Sequence, residues 1–548
     1  MTELMTETTP QAEKLHLSTK LAYGAGDFGP AITANVLVFF LLYFFTNVAG
    51  LPAGLAGSIL AIGKIGDAVN DPVTGILSDR TRTRWGRRIP WMVWGAIPFG
   101  LTFFVQWLVP TFSENQATND LALFWYYTVV AILFNLAYTA VNLPYTALTP
   151  ELTQDYNERT ALNSFRMAFS IGGSILSLIL AQVVFAFYPN DQQQQYFVLG
   201  SICSILSVIA IFWCAFRIKE RGKDPLLALP QKRLGGWILL GLSAIAIGYG
   251  VIVLIFATPT IAAIVSVLVG IQLLAFGSTL LFAVSESHLQ RRPSPTQNDE
   301  TTPDIPFFEQ LRIAFTNKPF LFVIGLYLCS WLAVQLTASI LIYFVVSCMG
   351  LSENDFPLVA IAVQGTALVM LFVWRQVSDR IGKKAVYFLG TCIWIVAQGG
   401  LFFLQSGQIA LLYLLAVLAG CGVSVAYLIP WSMVPDVVEL DELNTGQRRE
   451  GIFYGFMVLL QKVGLALALW IVGIALEFSG FVERPPGGDI PVQPDSALFA
   501  IRAAIGPLPT FVLILGLVLA YFYPITETIH SEIRLKLQAR RQSETTEE

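Results

Sequence analysis

The sequence is poor in charge and almost empty of histidine. Of its 548 residues, 13% are charged and three are histidine, while 55% are hydrophobic. A soluble globular domain carries about a quarter charged residues, so the shortfall excludes a chain bathed mostly in water. Lipid is the expected solvent. The formal net charge is -4, and without a basic face a nucleic-acid partner is excluded. His16, His288 and His530 all lie in polar stretches, which removes histidine as a metal ligand or proton relay inside the membrane. The six cysteines form no Cys-x-x-Cys pair and mostly sit in apolar runs. They read as small packing residues rather than disulfides or metal ligands. There is no phosphate-binding Gly-rich loop, which disfavours ATP-driven pumping, and no HExxH or GxSxG, which disfavours a membrane enzyme. No cofactor is expected. The first 26 residues lack a basic segment followed by an apolar core, so they do not read as a secretory signal.

Long apolar runs are what the chain has in abundance. A span needs about 20 mostly apolar residues. Spans are expected near 27–48, 55–77, 90–110, 122–148, 162–187, 197–216, 236–257, 261–284, 319–347, 355–376, 385–405, 408–434, 451–477 and 497–523, fourteen in all. Lys and Arg crowd alternate loops: Arg80 to Arg88, Arg217 to Arg233, Arg380 to Lys384, and Arg448 with Arg449. The other loops are nearly bare, with Arg484 the clear exception. The basic side is cytoplasmic by the positive-inside rule. Both termini are then cytoplasmic and the chain is a multi-pass protein of the cell's inner (plasma) membrane.

The organisation predicted is an all-α integral membrane fold. A cytoplasmic segment at 1–26 leads into a six-helix bundle at 27–216. A cytoplasmic loop at 217–235 and an accessory hairpin at 236–284 follow. A Pro-rich polar linker at 285–318 contains an amphipathic stretch at 307–318 suited to the membrane surface. A second six-helix bundle at 319–523 and a cytoplasmic tail at 524–548 complete the chain. The two bundles echo each other. Gly75-Ile-Leu-Ser-Asp79-Arg80 closes the second span of the first, and Gln376-Val-Ser-Asp379-Arg380-Ile-Gly-Lys383-Lys384 closes the second span of the other. Repeated halves with matching acidic–basic loops are the plan of a rocking transporter.

Charge inside a span costs at least about 2.5–3.5 kcal/mol per residue on insertion scales, so it marks function. The second span reads Gly63-Lys64-Ile-Gly-Asp67-Ala-Val-Asn70-Asp71-Pro72. Asp67 and Asp71 are spaced i, i+4 and share a helix face. Lys64 lies one turn earlier, and Asn70 adds an amide at i+3. Two carboxylates and an amide form a hard-oxygen site for Na⁺ or H⁺, and without a cation one carboxylate would tend to protonate.

This stretch resembles the second helix of the glycoside–pentoside–hexuronide:cation symporter family, the melibiose-permease-like branch of the major facilitator superfamily. The resemblance includes Gly24-Ala-Gly-Asp27, Arg84-Trp-Gly-Arg-Arg-Ile-Pro-Trp91, Tyr138-Thr139 with Asn142-Leu-Pro144, Glu158-Arg159 with Arg166, Arg449-Glu-Gly451 with Tyr454, and Lys462. It implies a major-facilitator fold and cation-coupled symport by alternating access. It implies a cation site of Asp67, Asn70, Asp71 and Thr139, with Lys462 supplying a positive charge from the other half. Asp79, Arg80, Asp379 and Arg380 resemble the superfamily's latch loop. Asp436, with Arg449, reads as part of a cytoplasmic gate.

The sugar-binding aspartates of the family's melibiose permease are not kept: Ala31 and Asn142 stand in their places, and Asp27 lies one turn earlier. Candidate solute contacts are Asp27, Asn35, Lys64, Tyr138, Asn142, Arg166, Tyr427, Trp431 and Lys462. A sugar or glycoside is the first expectation. A eukaryotic branch that moves lysophospholipids with sodium keeps the paired aspartates and the lysine, and resembles Tyr523-Pro-Ile525, so an amphiphile is the alternative. A non-transporting sensor of the same fold is a third reading. The partners expected are a small solute, a monovalent cation and the bilayer. A monomer is expected.

Overall fold

The structure is a computed structural model. It describes residues 15–81, 83, 85–153, 156–189, 191–218, 307–446, 450–484, 491–525 and 527–547, with isolated positions between 242 and 271. The first bundle holds α1 (Leu17–Asn47), α2 (Ala53–Arg80), α3 (Ile89–Val105), α4 (Gln116–Thr146), α5 (Tyr156–Phe187) and α6 (Gln192–Arg217). After α7 (Phe307–Thr316), the second holds α8 (Lys318–Cys348), α9 (Phe356–Ile381), α10 (Lys383–Phe403), α11 (Ile409–Thr445), α12 (Glu450–Phe478), α13 (Asp495–Ile505) and α14 (Pro507–Phe522). A final helix, α15, spans Glu527–Glu547.

Among the described residues, ten helices are long and apolar enough to cross a membrane, with α13 and α14 counted as one. The α2 helix, at 28 residues, would span about 42 Å at 1.5 Å per residue. Its charges keep it out of that set, and α3 is short. Among the described residues the structure shows ten apolar helices plus α2 and α3; the expected hairpin at 236–284 lies outside the described residues apart from isolated positions. Helices also outrun the apolar runs that announced them. The first starts at Leu17, not 27, because its polar turn is anchored: Lys20 Nζ pairs with Glu158 at 2.9 Å and Arg217 donates to Ser18 at 2.9 Å. The last span breaks at Gly506. Just before the break, Arg502 donates to the carbonyls of Phe402 (3.1 Å) and Leu404 (2.5 Å) at the end of α10. The segment beyond 524 is helix α15, seated on the second bundle by buried Ile533 and Leu537.

Local chemistry sets several boundaries. Asn115, Asp191 and Asn317 accept from the backbone N–H three residues on, opening α4, α6 and α8. Gly382, at φ 82°, makes the α9–α10 turn in a backbone region that disfavours side chains. The halves also repeat in a way the sequence does not announce. Both α1 and α8 pass through a π turn near their far ends, Leu37–Leu41 and Phe344–Cys348, and each is followed by a positive-φ glycine, Gly50 or Gly350.

The apolar core shows how the halves meet. One cluster joins α1–α6 to the ends of α8, α9 and α12 that lie away from the basic loops. A second, nearer the basic loops, is built from the second bundle, α7 and α15 alone. The halves are therefore packed together at the face opposite the basic loops. There α2 and α12 cross on glycine: a Cβ on Gly473 would stand 2.7 Å from Ala53 O and 2.8 Å from Gly57 Cα. Both obstacles are backbone, so neither can rotate away. Gly473→Val is expected to cost about 1–3 kcal/mol by overpacking and to lower the melting temperature by roughly 1–3 °C. The matched control is Gly455→Val on the same helix, where nothing lies within 4 Å and the melting temperature should hold.

Candidate cation and solute site

The α2 spacing does what the helix period requires. Asp67 and Asp71 face the same neighbours, α4 and α12. Thr139 of α4 places its hydroxyl 2.8 Å from Asp67 Oδ1 and 3.0 Å from Asp71 Oδ1. From the opposite half, Lys462 of α12 places Nζ 3.0 Å from Asp67 Oδ2 and 2.5 Å from Asp71 Oδ2. The carboxylates are thus bridged twice, by a hydroxyl on one side and an ammonium on the other. Asp67 is 1% exposed. A buried carboxylate needs both charge and hydrogen-bond partners, and here it has them. Lys64 lies 3.9 Å from Asp67 and donates to Asn135 Oδ1 at 3.0 Å. Two lysines therefore balance two aspartates.

Asn135 is a functional candidate that sequence reading missed. Its amide donates to Gly63 O (3.1 Å) and Ala131 O (2.8 Å), which holds Lys64 in place across the α2–α4 contact. A signal was present: Asn135, Thr139 and Asn142 recur at i, i+4, i+7 as a polar stripe on an apolar helix. Asn70 does not join the carboxylates through any hydrogen bond described; its Oδ1 accepts from Thr74 at 3.1 Å. The oxygens the structure gathers are those of Asp67, Asp71 and Thr139.

Comparison with known proteins decides the family. The family model described as MFS/sugar transport protein matches residues 22–238 and 233–527. This chain belongs to that family. An uncharacterized symporter of Synechocystis sp. is 60% identical over 97% of this chain and 98% of its own length. A sodium-dependent lysophosphatidylcholine symporter of Danio rerio is 26% identical over 93% of this chain and 86% of its own. Among solved structures, the nucleoside transporter NupG covers 92% of this chain and 98% of its own with a TM-score of 0.54 at 12% identity, a likeness of fold. The protein is a multi-pass membrane symporter of the major facilitator superfamily and not an enzyme. The family match does not single out a melibiose-permease-like branch.

In this transporter the other candidate residues divide by what they touch. Asp27 and Arg166 approach to 4.0 Å between α1 and α5. Arg166 Nε, Asn142 Oδ1 and Asn70 Nδ2 are buried with no protein hydrogen-bond partner among the described residues. Buried polar atoms are nearly always satisfied, so the two amide atoms are open to a ligand, while Arg166 Nε faces Asp27 at 4.0 Å. Tyr138 packs against Phe99 and Phe134 at 6.0 Å. Tyr427 and Trp431 belong to an aromatic wall: Tyr427 meets Trp331 at 5.7 Å, and Trp431 stacks on Tyr454 at 6.1 Å. Asn35 bonds to neighbouring helices. Its amide donates to Ser174 O and Ser177 Oγ, and its oxygen accepts from Gln364 of the other half at 2.7 Å.

The gate residues are also sorted. Among the described residues Asp436 is paired within its own bundle: Lys383 Nζ meets its carboxylate at 2.7 and 2.8 Å and Ser432 O at 2.6 Å, tying α10 to α11. His530 of α15 lies 3.4 Å from Asp436 and 2.9 Å from Glu439. Asp379 and Arg380 are exposed, and Lys383 lies four residues beyond Asp379. The side chains of Asp79 and Arg80, and all of Arg449, lie outside the described residues.

Proposed function

We propose that this transporter couples Na⁺ to the symport of an amphiphilic solute by alternating access about the Asp67–Asp71 pair. The observation that carries the reading is Lys462. One half of the molecule lends an ammonium to two carboxylates of the other. A monovalent cation on Asp67, Asp71 and Thr139 would take over the charge compensation that Lys462 supplies. Lys462 is then released, and the contact that ties the halves at this depth is loosened. Binding of the ion thereby changes the relative free energy of the two arrangements, which is what coupling requires.

Thr139→Val tests the ligand set without changing charge. It removes the hydroxyl that bridges both carboxylates, and sodium affinity should weaken about tenfold, roughly 1.4 kcal/mol. Isothermal titration calorimetry on purified protein checks this. An unchanged isotherm would remove Thr139 from the site.

For the solute, an amphiphile is favoured over a sugar by two features. Ala31 and Asn142 give a candidate headgroup region without the paired acids of the melibiose permease. Beside Lys64, a small cavity of about 70 Å³ is walled largely by apolar side chains such as Leu37, Leu41, Leu60 and Leu469, with Lys64, Gln106 and Asn135 as its polar groups. The relatives named for lysophosphatidylcholine point the same way. A thermal-shift screen in detergent and in nanodiscs compares lysophospholipids with glycosides, each with and without Na⁺. Stabilisation by lysophospholipid that depends on Na⁺ supports the reading. Stabilisation by a glycoside alone restores the sugar expectation.

A further inference from the structure

Arg484 is the lone basic residue in the loops of the face opposite the basic side, and the structure shows what it is for. Its guanidinium donates to Glu353 Oε1 at 3.3 Å. Glu353 is 6% exposed, in the short turn before α9 that a capping box of Ser352 and Asp355 fixes. The same oxygen accepts from Tyr43 Oη at 2.7 Å and from Gln192, residues of α1 and α6 in the other half. Around this knot Tyr43 packs edge-on to Tyr343 at 5.2 Å, and Tyr343 shares a hydrogen bond with Thr46 at 2.7 Å. Glu353 Oε2 is buried without a protein partner among the described residues.

We propose that Glu353 is the bolt of an outer gate: a carboxylate of the second half, carried with its own Arg484, that docks onto Tyr43 and Gln192 of the first and holds the outer ends closed. A carboxylate serving one half alone would have its donors there. This one divides them across the seam. When the halves part, Glu353 keeps Arg484 and gains water, while the neutral Tyr43 and Gln192 are hydrated at little cost. No charge is stranded in either state. The unpartnered Oε2 keeps the closed state from being too stable, because a buried acceptor without a partner is unfavourable. The gate stands apart from the aspartates of α2 and is independent of which cation or solute is moved. It rests only on the rocking of the two halves.

The test is a distance distribution. Spin labels on unnatural amino acids at Gln116 and Gln405, exposed positions on the outer face of each half, are measured by pulsed dipolar spectroscopy in nanodiscs. Glu353→Gln and Tyr43→Phe are each expected to reduce the short-distance population at least twofold, with sodium affinity kept within about threefold. The double variant should add little to either single one, since both remove the same contact. Tyr43→Phe keeps the ring and its packing, so it decides the matter if Glu353→Gln does not fold. A lowered melting temperature with an unchanged distribution would make Glu353 merely structural and overturn the proposal.

Discussion

Lys462→Gln is expected to lower sodium-driven uptake by at least about 100-fold while tightening sodium binding. The two signs follow from one geometry. Lys462 Nζ sits 3.0 Å from Asp67 and 2.5 Å from Asp71, where it competes with any cation for the same oxygens. Removing it leaves two carboxylates facing one lysine, so a cation gains at least one strong ligand charge. A tenfold tighter dissociation constant corresponds to about 1.4 kcal/mol, modest beside the several kcal/mol that an uncompensated buried charge costs. Transport fails because the ion no longer switches anything: with no ammonium to displace, the arrangement of the halves becomes insensitive to it. Uptake into proteoliposomes and calorimetric titration measure the two effects separately. Loss of both binding and uptake would make Lys462 structural.

Asp71→Asn is expected to abolish sodium-driven uptake and to weaken sodium binding by at least about 100-fold, roughly 2.8 kcal/mol, in a protein that still elutes as one species. The amide keeps the shape and can still accept from Lys462 or Thr139. It cannot supply the second negative charge. Asp67, at 1% exposed, retains Lys462 and Thr139, and the surplus positive charge falls on Lys64 and Lys462, whose side chains are 22% and 17% exposed, so folding should survive. Counterflow of solute, which needs no ion gradient, should persist better than gradient-driven uptake. Sodium-dependent uptake at the wild-type level would exclude Asp71 from coupling.

How much of this was legible in the chain follows from what periodicity can report. The i, i+4 pair on α2 was visible because neighbours on one helix face are fixed by 3.6 residues per turn. The polar stripe of α4 was equally available, yet Asn135 passed unnoticed because a single amide in an apolar run carries no charge to draw attention. Lys462 stands 391 residues from Asp71, and only family resemblance suggested that they meet. The acidic–basic repeat was visible, but the ion pair made beside its second copy, Lys383 with Asp436, joins two helices whose approach no local pattern encodes. Arg484 was conspicuous as a charge on the wrong side, and its partner Glu353, 131 residues away, is set beside it only by the fold. Helix ends were misjudged for a related reason. Apolar runs mark the lipid slab, whereas helices continue until a cap, a glycine or a break such as Gly506 stops them.

The central claim is that Lys462 and the coupling ion alternate on the same two carboxylates. A high-resolution structure of the sodium-saturated protein tests it most directly. Ion density is expected among Asp67, Asp71 and the Thr139 hydroxyl, with Lys462 Nζ displaced beyond the ~4 Å reach of an ion pair from both carboxylates. Sodium bound elsewhere with Lys462 still bridging Asp67 and Asp71 would contradict it.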